Sequence, residues 1–325
     1  MSTLSTIDRV LRAHADGSYF ARLVNAPAPH PLRRTPKLVF HAVLHDVEPR
    51  FTIVTPAFDG ERLIEACIAA AAQAATLPFD WIVIDDGSED GTAARARASF
   101  DAGRWPLLAR ATIVRNPVPI FETACDNLGF ALAETPIVIE MQCDIAIREP
   151  GFDALAIAAL ELPSCPSSVS GRCGHSFFGL RGRFVRALLG GRADECVGLC
   201  GTLIETPDVI DSIKGRIYQC DTVPRGPWAL RKADLDAAGG LDERFFFLGN
   251  DDHDFHRRLF ETESRRPVYV PMSLHSPLDV GAQRRRRSGV NQQLFTQLRR
   301  TKRGSPAFRQ FLSAQRHPVS PVRLA

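Results

Sequence analysis

From Phe51 onward, short runs of apolar, β-branched residues alternate with longer Ala-rich stretches. Phe51–Thr55, Trp81–Ile84, Ala111–Val114 and Ile137–Met141 have the length and composition of strands. Between them, Glu61–Ala75, Thr92–Phe100 and Thr123–Ala133 are helical in pattern. Strand–helix alternation of this kind predicts an α/β fold, with a mainly parallel central sheet and helices on both faces. Residues 1–49 depart from the pattern. They read as an extension made of a helix (Ser5–Leu23), a Pro-rich joint (Asn25–Pro36) and an apolar run (Leu38–Leu44).

In a parallel sheet, ligands gather at the C-terminal ends of the strands. Asp85-Asp86 and Asp144 each follow directly on an apolar run, so they are expected on one rim. Carboxylates there suit hydrogen bonds to a base or ribose, or a hard divalent cation. Taken alone, Asp85-Asp86-Gly87-Ser88 reads as a turn whose first Asp caps the next helix; Asp144 on the same rim favours a site. Neither a P-loop nor a Gly-x-Gly-x-x-Gly loop follows the first strand, which leaves a metal as the counter-charge for any bound phosphate. A third acidic cluster, Asp251-Asp252-His253-Asp254, opens a helical stretch. Helix-start carboxylates account for one or two of these; three in one turn call for a compensating charge.

The composition adds three limits. Of the 325 residues, 45% are hydrophobic and 24% charged, so a folded core is expected. No run approaches the ~20 apolar residues of a membrane span, and the N-terminus lacks the pattern of a secretory signal, so a cytoplasmic location is expected. The eight cysteines have neither zinc-ribbon nor disulfide-framework spacing. The net charge of +3 is uneven: residues 281–325 carry eleven Arg or Lys and no acid, against a net −8 for the rest. That basic tail, Arg284–Arg323, suits a peripheral contact with anionic lipid or a solvated role. Nucleic-acid binding is disfavoured, because the body is acidic and no aromatic residues interleave with the arginines.

Ile53-Val-Thr-Pro-Ala-Phe-Asp59 followed by Ile82-Val-Ile-Asp-Asp-Gly-Ser-Glu-Asp-Gly-Thr92 resembles the opening of family-two glycosyltransferases, which have the GT-A fold. Asn127-Leu-Gly129, Gln142-Cys-Asp144, Gly226-Pro-Trp-Ala-Leu-Arg-Lys232, Gly239–Phe246 and Asp251–Asp254 are similar to that family's later motifs, in order, over roughly residues 50–275.

The resemblance implies a nucleotide-sugar-binding half at 50–145, an acceptor-binding and catalytic half at 146–280 and a basic tail at 281–325. It implies that Pro56 and Asp86 line a nucleobase pocket with Asp85 nearby, and that Cys143 stands where a ribose-binding Asp often occurs. Asp144 matches the metal-binding Asp, and His275 stands where relatives often supply a metal-binding His. Asp252 matches the catalytic base, and Asp251 takes the place of the usual Glu before it. Gln142 and Cys143 depart from the acidic pattern. Gln283–Arg287 is faintly similar to the Gln-x-x-Arg-Trp signature, with Arg287 in place of Trp, and makes Arg286 a candidate for the donor diphosphate.

From the residues themselves, Trp228 suits either a sugar-ring floor or core packing. Arg172 and His175 lie in a Gly-rich loop expected over the acceptor side. The implied activity is inverting transfer from a UDP- or dTDP-type sugar to a hydroxyl of a glycan or lipid-linked acceptor, aided by Mn2+ or Mg2+ and serving surface polysaccharide or glycoconjugate synthesis. A nucleotidyltransferase would carry a Gly-rich basic loop where Thr55–Asp59 stands. A non-catalytic nucleotide-sugar binder is the other rival.

Overall fold

The computed structural model describes residues 36–102, 104–117, 120, 122–172, 202–205, 216–243, 245 and 250–275. The expected helix at Ser5–Leu23, His175, Arg286 and the basic tail lie outside the described residues.

The strands are β1 (Lys37–Val43), β2 (Phe51–Ala57), β3 (Phe79–Asp85), β4 (Leu108–Arg115), β5 (Ile137–Glu140), β6 (Ala146–Ile147), β7 (Val169–Ser170), β8 (Thr202–Glu205), β9 (Arg216–Gln219), β10 (Trp228–Arg231), β11 (Val268–Tyr269) and β12 (Leu274–His275). The helices are α1 (Ile64–Ala74), α2 (Thr92–Asp101), α3 (Glu122–Leu132), α4 (Phe152–Leu160), α5 (Lys232–Ala238) and α6 (Asp251–Glu263). One sheet runs β1-β4-β3-β2-β5-β10-β7-β11-β9-β8, and β12 pairs with β6 apart from it.

The sheet's heart, β4-β3-β2-β5, is parallel. β1 and β10 flank it antiparallel. Every residue of β2 and β3 is buried, as parallel strands covered on both faces require. The apolar run assigned to the extension is instead an edge strand of this sheet: β1 pairs with β4 from Lys37 to Val43.

Alternation along the strands sorts the core into two clusters. Ile53, Trp81 and Val83 join α1, α2 and α4 on one face; Val54, Ile82 and Ile84 join α3, α5 and α6 on the other. Small residues allow close approach on the second face. A Cβ on Gly129 of α3 would lie 2.2 Å from Val54 Cγ1 of β2. Asn127, two residues earlier, donates to the Leu241 carbonyl (2.9 Å) and accepts from the Leu241 amide (2.8 Å), which fixes the segment before α6 against α3.

Candidate active site

The parallel strands end at a rim where the first two acidic clusters lie. β2 runs into the turn 58–63 and β3 into Asp85–Gly91. The two turns are stitched together: the Asp59 amide donates to Ser88 Oγ (3.1 Å), the Glu89 amide to Asp59 Oδ1 (2.9 Å), and the Gly60 amide to Thr92 Oγ1 (2.8 Å). Pro56 is buried within β2, and Phe58 just beyond it is the exposed aromatic of this rim.

Asp85 lies in a turn but does not cap α2, whose N-cap is Gly91 with no side-chain capping bond. Asp85 is fully buried, accepts the Ser88 amide at 3.0 Å, and lies 3.4 Å from Arg115 Nε. Burial pushes its carboxyl up from the usual range, against the Ser88 bonds and Arg115. Asp86 has another environment: its Oδ1 accepts from Asn116 Nδ2 (2.9 Å) and from the Ile120 amide (2.7 Å).

At the end of β5, Gln142 is half-buried between two chains of contacts. Its Nε2 donates to Glu122 Oε1, and its Oε1 accepts from Arg172 Nη1 at 3.4 Å. Arg172 also donates to the Arg225 carbonyl (3.3 Å), so it is tied to the site's floor. Burial, then Asp144, pushes the Cys143 thiol up to about 12, which leaves it a neutral thiol at the position proposed to meet the ribose. Asp144 is buried. The β6–β12 ladder sets His275 opposite Ala146, two residues beyond Asp144, and the His275 side chain is exposed. Among the described residues, no group of three or more His, Cys, Asp and Glu side chains is arranged to hold a metal.

The third cluster divides sharply. Asp251 is buried in an ion pair with Arg225 and accepts from Thr123 Oγ1 at 2.7 Å. A carboxylate so enclosed has no access to an acceptor hydroxyl, so the structure corrects its assignment as a catalytic group. Asp252 is half-buried and accepts the His253 amide (2.7 Å). Burial pushes its carboxyl up, but His253, Arg225 and His256 outweigh that and hold it below the ordinary carboxylate value. Asp254 is spent on Arg258 at 2.9 Å.

Trp228 is likewise corrected as a sugar floor. It is 0% exposed and packs edge-on against Phe255 (5.5 Å) and His256 (5.4 Å). The sequence reading missed Arg225, which is 6% exposed and sits among Asp126, Glu122 and Asp251. It also missed Asn116 and Glu122. All three are single polar residues whose partners are far away in sequence. Burial pushes Asp126 up to about 7 and Glu140 well above the usual range, although Arg225 opposes both. Both acids therefore hold protons more readily than free carboxyls do.

One short segment joins the three clusters. The Ile120 amide holds Asp86, Glu122 holds Gln142 next to Cys143-Asp144, and Thr123 holds Asp251. The start of α3 is thus the keystone of the rim.

Residues 52–151 match the family described as glycosyl transferase family 2. A mannosyltransferase from Pyrobaculum calidifontis, solved with GDP-Man and Mn2+, is similar in structure at 19% identity, covering 99% of this chain and 85% of that one with a TM-score of 0.53. Glucosyl-3-phosphoglycerate synthase from Mycobacterium tuberculosis, solved with Mn2+, UDP and phosphoglyceric acid, is 17% identical over 79% of this chain and 80% of that one, with a TM-score of 0.48. No curated protein matches the chain. Among the described residues no helix is long and apolar enough to cross a membrane. Residues 52–151 thus carry a region that matches family-two glycosyltransferases, within a chain whose fold is similar to that of the mannosyltransferase.

Proposed function

We propose that this chain transfers a sugar, with inversion, from a UDP- or dTDP-type donor to a hydroxyl of a glycan or lipid-linked acceptor. The observation that carries this reading is the segment 120–123, whose contacts tie Asp86, the Gln142–Asp144 strand end and the Asp251-Asp252 helix start to one place. Residues 50–145 would hold the nucleotide and residues 146–280 the acceptor. Asp86, with Pro56 behind it and the open ring of Phe58 beside it, would receive the base.

Asp144 and His275 are the residues that would hold a divalent cation. An oxygen and an imidazole donor, with the remaining positions left to phosphate oxygens and water, suit Mg2+ or Mn2+ better than a closed structural site. When bound, the cation supplies charge stabilisation for the departing diphosphate. Asp252 accepts the proton of the acceptor hydroxyl as that oxygen forms its bond to the anomeric carbon and the bond to the diphosphate breaks. Its lowered proton affinity keeps it ionised and ready at neutral pH. Asp251 anchors the turn that carries Asp252. Gln142, held by Glu122 and Arg172, would line the floor beneath the sugar.

A panel of uridine, thymidine and guanosine diphosphate sugars with and without Mn2+, read by thermal shift, tests the donor assignment, since a ligand that binds only the native state raises the melting temperature. Guanosine donors belong in it because the mannosyltransferase was solved with GDP-Man. Silence from the whole panel refutes the proposal. A non-catalytic binder is favoured by the neutral Cys143 and the committed Gln142. Binding with no turnover, unchanged by Asp252→Asn, would establish that second reading.

A further inference from the structure

Deepening the proposal above, on whose assignment of Asp252 it rests, we infer that Arg225 is a positioning residue for sugar transfer, setting the first turn of α6 through its ion pair with Asp251. Helix α6 begins without the usual device. Its N-cap residue Asn250 has φ 71° and makes no side-chain capping bond. The turn is secured instead from outside, where Asp251 Oδ2 receives both Arg225 Nη2 and Thr123 Oγ1. Asp252 is the next residue, so fixing Asp251 fixes the backbone that presents it.

Arg225 is itself clamped from several elements. Its Nη1 pairs with Asp126 and lies 3.4 Å from Glu122, both on α3. Its carbonyl accepts from Arg172, and the adjoining Gly226 amide donates to Glu140 of β5 at 2.8 Å. A guanidinium reaches these carboxylates at once because its donors form a rigid fork, which an ammonium group cannot imitate. Charge adds to geometry. The groups that act on Asp252 are His253 and His256 from its own helix and Arg225 from across the site; those that act on Arg225 are Glu122, Asp126, Glu140, Asp251 and Asp252 itself.

The test uses Arg225→Gln, Arg225→Lys and Asp251→Asn in the full chain, with melting curves to confirm folding. Donor KM is expected to stay within about threefold while kcat falls by about 100-fold in R225Q, the scale of a small misplacement of a reacting group. The acid limb of the rate profile moves to higher pH in R225Q, and R225K recovers part of kcat because it restores charge without the fork. Asp251→Asn, which weakens the same pair from the other side, lowers kcat without moving KM. A second readout needs no substrate: carboxyl 13C titration of labelled aspartates, with the Asp252 signal assigned through Asp252→Asn. Its midpoint rises in R225Q if Arg225 acts on Asp252. An unchanged kcat and an unchanged Asp252 midpoint in folded R225Q would overturn the inference. A shifted midpoint in a protein that transfers no sugar would support the coupling and refute the transferase proposal instead.

Discussion

The rim over β2 and β3 and the floor around Arg225 are built from the same residue types by opposite means. On the rim, carboxylates meet backbone amides: Asp59 takes Glu89, Asp90 takes Glu61, and Asp86 takes Ile120. Each bond satisfies a peptide group that would otherwise need water, and Arg115 lies 3.4 Å from Asp85 of the same rim. On the floor, Glu122, Asp126 and Asp251 share one guanidinium, with Glu140 close by. Buried atoms without a hydrogen-bond partner among the described residues occur in both regions: Asp126 Oδ1, Glu140 Oε1 and Arg225 Nε on the floor, Asp85 Oδ2 and Asn116 Oδ1 on the rim. Buried ion pairs contribute little net stability, yet breaking one is costly because a charge is stranded. The rim is therefore a preformed receptor whose shape depends on backbone. The floor is an electrostatic device whose shape depends on protonation.

Substitutions that touch chemistry rather than shape should separate the two most. Asp252→Asn is expected to lower kcat by about 10²–10⁴-fold, the usual worth of a positioned base. Donor binding should persist, because the rim remains intact; loss of nucleotide binding in a folded D252N would mean that rim and floor are not separate. Asp144→Asn should act on the other side of the comparison, weakening the cation-dependent part of nucleotide binding by roughly 10–100-fold. Calorimetric titration of nucleotide with and without Mn2+ reads this directly. Equal affinities for wild type and D144N in the presence of Mn2+ would remove Asp144 from the cation site.

The rim was legible in the sequence and the floor was not, for a physical reason. Strands β2 and β3 are mostly apolar and β-branched and run into Asp or turn residues, so their position and the acids that follow come from local pattern. The ordered motifs then made Asp86, Asp144 and Asp252 candidates. Arg225 is one basic residue among 40, and its partners lie at positions 122, 126, 140 and 251, so no spacing reveals it. The division of labour between Asp251 and Asp252 is equally invisible, since adjacent identical residues differ only in what their side chains meet. β1 escaped because an edge strand is half exposed: Lys37, Val39 and Val43 face outward, which blurs its pattern. The two-residue ladder that sets His275 opposite Ala146 is too short to leave any periodicity.

Packing supplies a prediction of middle size. Ala at position 129 gains helix propensity, worth at most about 1 kcal/mol. Its Cβ would meet Val54 Cγ1 at 2.2 Å, and overpacking of this kind costs about 1–3 kcal/mol. The clash wins, so Gly129→Ala should lower the denaturant midpoint. Because α3 carries the keystone contacts, donor affinity should fall with it. Pairing G129A with Val54→Ala, which removes the offending methyl, should restore part of both. A stability for G129A equal to or above wild type would show that the helix is free to move off the sheet.

The last prediction concerns pH, where two shifts on the floor oppose each other and leave a small net slope. Burial pushes His256 down to about 3, so the folded protein keeps this ring neutral while the unfolded chain protonates near the ordinary value of 6.5. Stability from this group is complete above 6.5 and is lost as the pH falls from there toward 3. Asp126 has the opposite sign. Pushed up to about 7 from 3.8, it binds its proton more readily when folded, so its contribution is complete below 3.8 and is lost as the pH rises through about 7. Between pH 4 and 6.5 the two slopes oppose each other in the wild type. His256→Gln removes one and should leave a melting temperature that falls as the pH rises across this window, relative to wild type. Asp126→Asn removes the other and should tilt the profile upward. The remaining titrating groups are common to both variants, so the difference between their slopes isolates the pair. Parallel profiles for H256Q and D126N would mean that the floor does not couple protonation to folding.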